Sequence, residues 1–401
     1  MIFSETMKRL ILFSWIFAAS FGLYAQKASL TKAYNFYYDK NFVKAKEAID
    51  LCTQDEKLSG KAQTWLYKGN ICYFLANEEY GAKQKDPQFM ILHPDAPVEA
   101  YDAFAKSMEI NPNAEAMEMF SAKEALKQLY PLLLVRGVDQ LIAKDYNGAK
   151  STLAKGIASY EMDKPQYPMN GDLYYYYAYT LEAMGDTKDL RSYYQKAIDD
   201  GSQMPYVYIR LLESYKAENN REMAAKTLAQ AKSKLPGNVN LSIAEIDYLY
   251  WLGDSIAAKN RLKSIPTSSL QSADEFVNLS NFYIREKQYE EAVSLLDKAN
   301  ALSPGNFVVL YNLGVCHYSI SEKLFNQYNQ SALHNPNSPE SQDYKLRSEQ
   351  ELSQSATYFE QARALEPQDL NLLNTLKAIY ARQQSPKYDE IDKLIKDIEK
   401  K

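Results

Sequence analysis

Small and large residues recur in this chain at a fixed interval of 34 positions, and that interval limits the possible folds more than any other feature. Leu190, Ala224, Ala258 and Ala292 are spaced 34 apart. Each is followed four residues later by a large residue: Tyr194, Leu228, Leu262 and Leu296. Three residues further on stand Ala197, Ala231, Ile265 and Ala299, and nine before the first set stand Leu181, Tyr215, Leu249 and Tyr283. Offsets of three, four and seven place side chains on one face of a helix. A small residue on that face lets two helix axes approach, and a large one fills the groove beside it. Pro112, Pro236, Pro304 and Pro367 each fall eight residues after Phe104, Leu228, Leu296 and Phe359, where proline stops the second helix of a pair. A unit of this length therefore reads as two helices and two turns, stacked so that each unit completes the core of the one before.

The same frame continues through Ala45, Ile49 and Cys52, through Ala149 and Leu153, and through the pairs Ala100–Phe104 and Ser355–Phe359. Leu310, Leu313, Gly314 and His317, and less closely Trp65, Lys68, Gly69 and Cys72, occupy the places of a Trp-x2-Leu-Gly-x2-Tyr motif. With Ala100, Phe104 and Pro112, and Ala292, Leu296 and Pro304, they resemble the tetratricopeptide signature. The fold this resemblance implies is all-α: a right-handed α-solenoid of tetratricopeptide helix-turn-helix repeats. About eight units and a C-terminal capping helix are expected over residues 26–401, with insertions near 80–98 and 322–354. The second insertion reads as one unit with both helices lengthened into a projecting hairpin. Residues 114–130 add a helix's length, as a separate helix or as an extension of the next one. Near the end, Ile391, Leu394, Ile395 and Ile398 form a thin apolar stripe on a charged segment, which suits a cap.

Residues 1–25 read as a secretory signal peptide. Lys8 and Arg9 precede an apolar run from Leu10 to Phe21, and the small Ala25 precedes Gln26. An uncleaved anchor stays open as the alternative, although the run is short for the ~30 Å hydrocarbon layer. Cleavage after Ala25 places the mature chain in a periplasm or outside the cell, with no stable membrane insertion. The Leu-Tyr-Ala-Gln ending of this segment, the lengthened late unit and the tyrosine-rich repeats resemble exported tetratricopeptide proteins of the Bacteroidetes.

Composition removes several function classes. The net charge of -5 argues against a nucleic-acid partner, which requires a concentrated basic face. Three cysteines without a CxxC pair, and three scattered histidines, leave no expected metal site. No GxSxG, HExxH or phosphate loop is present, so no catalytic residue and no cofactor is expected, and the chain does not read as an enzyme. Cys52 and Cys72 fall on helices that should be neighbours; a disulfide and two buried thiols both remain open.

In tetratricopeptide solenoids the first helix of each unit lines a concave groove, and the resemblance implies that a peptide or helix of a protein partner binds there. The frame assigns to that groove Tyr34, Tyr37, Tyr38, Asn70, Tyr73 and Phe74, then Tyr175, Tyr179 and Glu182, then Glu213, Lys216, Asp247, Tyr250 and Trp251, and finally Asn281, Arg285, Tyr311 and Tyr318. Tyrosine, with 33 copies in the chain, dominates this set. It offers a large rigid contact area and one hydrogen-bonding tip. The mostly acidic set Glu182, Glu213, Lys216 and Asp247 disfavours a clamp for a peptide carboxylate. The run from Tyr174 to Tyr177 points in four directions on a helix and forms no single stacking platform. The reading is a non-catalytic scaffold or adaptor in the bacterial cell envelope; the alternative is a glycan-binding accessory protein using the aromatic groove.

Overall fold

The computed structural model describes residues 28–116, 118–162 and 171–400. Residues 1–25, assigned above to a signal peptide, lie outside the described residues. The described residues form nineteen α-helices and no strand. Eight antiparallel pairs follow the repeat frame: α1 (Leu30–Tyr38) with α2 (Phe42–Gln54), then α3 (Ala62–Lys85) with α4 (Ala96–Ile110). A short α5 (Ala122–Gln128) precedes α6 (Tyr130–Ile142) and α7 (Tyr146–Glu161). Next come α8 (Asp172–Ala183) with α9 (Leu190–Asp199) and α10 (Pro205–Ala217) with α11 (Arg221–Lys234). They are followed by α12 (Val239–Leu252) with α13 (Ser255–Ser264) and α14 (Ala273–Arg285) with α15 (Tyr289–Leu302). The lengthened α16 (Phe307–Ala332) and α17 (Pro339–Leu365) are the eighth pair, and α18 (Leu370–Arg382) with α19 (Lys387–Glu399) closes the chain. The open alternative for residues 114–130 resolves as the separate helix α5.

One turn chemistry joins the two helices inside most pairs. A residue with positive φ ends the first helix: Lys40, Lys144, Gly185, Asn219, Gly253, Lys287 or Gln384. The next N–H then reaches back five residues, as from Asp145 to the Gln140 carbonyl at 2.8 Å and from Gln288 to that of Tyr283 at 2.8 Å. This satisfies carbonyls left over at the helix end. The same residue frequently caps the next helix: Asn41, Asp145, Asn220 and Asp254 each accept from a backbone N–H three positions on.

The chain divides into two compact halves, the first ending at Leu211 and the second starting at Leu212, inside α10. In each half the helix pairs stack as a tetratricopeptide-type solenoid, with interiors running from pair to pair. The first half has a small core of Ala33, Ala45, Ile49, Cys52 and Ile71 and a larger one containing Leu66, Cys72, Leu75, Phe104, Leu126 and Leu133. The second half has one core from Ile243 to Cys316 and another in which Leu352, Phe359, Leu372 and Leu376 are covered by Ile391 and Ile395 of α19.

The motif glycines mark where helices cross most closely. A Cβ on Gly69 would sit 2.5 Å from the Phe104 ring, and one on Gly314 would sit 2.9 Å from the Phe359 ring. Helix α2 is tied to α3 and α4 by a half-buried cluster: Lys46 and Lys68 both pair with Asp50 and with Glu99, at 2.9–3.2 Å. Burial would raise the Asp50 carboxyl, but hydrogen bonds from the two lysines hold it below its ordinary value. Cys52, Cys72 and Cys316 are buried free thiols, which resolves the open pairing of the first two.

Candidate partner-binding surface

The first helices present an aromatic ladder in the first half. The Tyr34 ring lies 6.0 Å from Tyr67, Tyr37 packs on Phe74 at 5.6 Å, and Phe74 stacks between Phe42 and Phe120 at 5.8 and 5.9 Å. Tyr38, 6.3 Å from Tyr34, is 64% exposed. Tyr73 stands edge-on to Phe120 and donates to Gln128 Oε1 at 3.4 Å. Asn70 corrects the sequence assignment: it is completely buried, and both ends of its amide are used by the backbone of Phe120. The frame placed it on the correct helix face but did not show that residues 118–121 return over that face.

Beyond Tyr73 the surface opens into a cleft of about 920 Å³ between α3, α5 and α6. Its aromatic and apolar lining comes from Tyr73, Tyr80, Tyr130, Leu132 and Val135, its amides from Asn77, Gln84 and Gln128, and its charges from Lys83, Lys127 and Glu124. Two of its walls are consecutive first helices and the third is the inserted helix. Tyr80 is fixed by donation to the Pro94 carbonyl at 3.2 Å, and Lys83 by donation to that of Pro87 at 2.6 Å. Val135 is 41% exposed and offers an apolar contact to solvent. Apart from Tyr73, sequence reasoning missed these residues. The one available signal was that residues 114–130 exceed a repeat, and an unplaced extra segment gives no lining. A mostly apolar hollow of this size with a few placed polar groups suits a bound side chain or a helical turn.

On α8, Tyr175 stacks on Tyr179 at 6.3 Å, and Tyr179 is 39% exposed. Glu182 accepts from the Tyr194 hydroxyl at 2.8 Å and pairs with Arg210 at 3.5 Å. Burial, then the neighbouring Tyr176, pushes the Tyr175 phenol up to about 12. Tyr174 is buried, separating it from its three half-buried neighbours in the run.

In the second half the charged residues neutralise one another. Lys216 pairs with Glu213 at 2.9 Å and also with Asp247. Tyr250 stacks on Phe282 at 6.0 Å beneath the Arg285 guanidinium, 4.0 Å from the ring, and donates to Glu286 at 2.6 Å. Trp251 packs beside Tyr248 at 5.8 Å, with Arg221 over its ring. Asn281 accepts from Asn312 at 3.1 Å on the surface. Tyr311 is turned edge-on to Phe359 at 5.5 Å, and Tyr318 is half-buried, so both face the packing between pairs more than solvent.

No family model matches the sequence. A curated relative, the BBSome complex member BBS4 of Bos taurus, is 24% identical over 138 residues, which is 34% of this chain and 27% of that protein. The chain thus matches about a quarter of the length of this relative. Among solved structures, Cut9 with Hcn1 from the APC/C is 15% identical, covering 86% of this chain and 74% of that one with a TM-score of 0.44. Yeast Tom70 is 13% identical, covering 92% and 98% with a TM-score of 0.42. A tetratricopeptide protein of Parabacteroides merdae is 12% identical, covering 72% and 96% with a TM-score of 0.36. No helix among the described residues is long and apolar enough to cross a membrane.

Proposed function

We propose that this chain is a non-catalytic protein-interaction scaffold of the bacterial cell envelope, exported and freed of residues 1–25, which seats a segment of a partner protein on its first-helix faces. The observation that carries the reading is the cleft between α3, α5 and α6: an aromatic floor, three amides and a charged rim, built on two successive first helices. Tyrosine-lined hollows give large contact area at low entropic cost. The exposed Tyr179 on α8, and Tyr250 with Arg285 in the second half, offer further aromatic contacts of the same kind.

The test is capture of partners from envelope extract by the purified chain, with identification by mass spectrometry, using wild type and Val135→Glu. Val135 is exposed, so the added carboxylate changes the cleft wall and leaves the core unchanged. A partner lost at least tenfold with Val135→Glu supports the cleft. Capture unaffected by Val135→Glu, together with glycan-array binding that Tyr175→Ala, Tyr179→Ala and Trp251→Ala abolish, establishes the glycan alternative instead. N-terminal sequencing of the exported protein tests the location: a start at Gln26 is expected, and a start at Met1 or Met7 restores the anchor.

A further inference from the structure

Part of the first-helix face in the first half is already covered, and its cover is this chain itself. Residues 118–121, which lead into α5, lie against α1 and α3. The buried Asn70 holds one residue of that segment at two points. Its Oδ1 accepts from the Phe120 N–H at 3.0 Å, and its Nδ2 donates to the Phe120 carbonyl at 3.1 Å. One side-chain amide thus satisfies both the N–H and the C=O of a single residue, as a neighbouring strand does in a sheet. The Phe120 ring is stacked on Phe74, with 5.9 Å between centroids and 10° between planes, and Tyr73 stands edge-on to it at 5.9 Å. One step further, the Tyr37 hydroxyl donates to the Glu118 carbonyl at 3.4 Å. The helices therefore read a main-chain pair, a second carbonyl and one aromatic ring. None of these contacts needs the segment to be covalently attached.

We propose that this is a peptide-reading site, and that residues 118–121 occupy it as an internal ligand which an aromatic-bearing segment of a partner protein displaces. The proposal rests on the reading above that first-helix faces receive partner segments, and it names the chemistry of one such segment. The partner must supply a ring for the Phe74 slot and an N–H and C=O pair for Asn70, because a buried amide left unpaired opposes binding. The tether sets a threshold. A linked segment of ~10 μM intrinsic affinity, held at an effective concentration on the order of 1 mM, makes an incoming peptide bind about 100-fold more weakly than it would to an open site.

The probe is a fluorescent peptide with the sequence of residues 114–123, titrated into the full chain. Phe120→Gly, which vacates the slot, is expected to bind it at least tenfold more tightly than wild type. Adding Asn70→Ala should remove that gain, and a probe with its phenylalanine changed to alanine should not bind. Circular dichroism checks that each variant is folded. A folded Phe120→Gly chain that binds no better than wild type, or whose binding survives Asn70→Ala, overturns the proposal. Hydrogen exchange on the unaltered chain gives a second reading that needs no variant. Saturating peptide is expected to speed exchange at residues 118–121, and unchanged exchange there overturns the proposal as well. If the peptide fails while Val135→Glu still abolishes partner capture, the internal-ligand proposal falls and the scaffold reading stands.

Discussion

At single residues, size is matched across each helix pair. Where the first helix carries Gly69 or Gly314, the second carries Phe104 or Phe359; where it carries Ile246, the second carries Leu262. Interiors packed this closely accept added volume poorly. Gly69→Ala forces a methyl to within 2.5 Å of the Phe104 ring, so a loss of about 1–3 kcal/mol is expected in urea unfolding. Phe104→Leu in the same chain should recover part of it. The positive-φ lysines are the opposite case. Lys287 sits at φ 58, a conformation that costs a residue with a Cβ roughly 1–2 kcal/mol. Lys287→Gly relieves that strain at an unfolded-state cost of about 0.4–1 kcal/mol, so a net gain of about 0.5–1 kcal/mol is expected by the same measurement. The glycine–phenylalanine pairs were legible in the sequence because packing follows spacing. The role of Asn70 was not, because its partner is the backbone of a segment 50 residues away.

At the level of elements, the hairpin of α16 and α17 shows how two helices of 26 and 27 residues stay together beyond the repeat frame. Serines replace bulky core residues along the seam. Ser321 and Ser348 each donate to the other's carbonyl, at 2.8 and 2.9 Å, and Ser331 meets Ser341 at 2.7 Å. Small side chains allow close approach, and their hydroxyls are satisfied across the seam. Arg382 of α18 braces the hairpin, donating to Ser348 at 2.7 Å, pairing with Glu322 and lying 4.1 Å from the Phe325 ring centroid. Ser348→Val should lower the thermal midpoint by adding volume and removing both contacts, whereas Ser353→Val, on the exposed side, should leave it within error. The two helices were legible from length and composition. Their serine seam and its brace were not, since serine carries no periodic apolar signal. The inserted α5 was the other limit: the surplus of residues was visible, but the cleft it closes was not.

For the whole molecule, each half has its own cores, and within each half contacts run from one helix pair to the next. Stability in such a stack is the sum of pairs and interfaces. The damage of Gly69→Ala should therefore stay in the first half. Hydrogen exchange is expected to rise in α3, α4 and their neighbours and to remain unchanged from α14 to α19. Alkali should weaken both halves. Burial, aided by the charge of Glu99 for Cys72 and of Glu290 for Cys316, pushes both thiols up to about 12 from an ordinary 9.0. A group raised on folding contributes its full stability below its unfolded value and loses it as pH climbs toward the folded one. The urea midpoint should therefore hold up to pH 9 and fall between 9 and 12, and Cys72→Ala with Cys316→Ala should flatten that fall. The sequence by itself determined the helix pairs, their turns and their buried faces, because those follow from spacings of three, four and 34 along one chain. Only the tertiary structure decided which of the first-helix residues remain open. Whether Asn70 is covered and Val135 is exposed depends on where an irregular segment crosses the stack, and that path is set by contacts far apart in sequence, which no local period records.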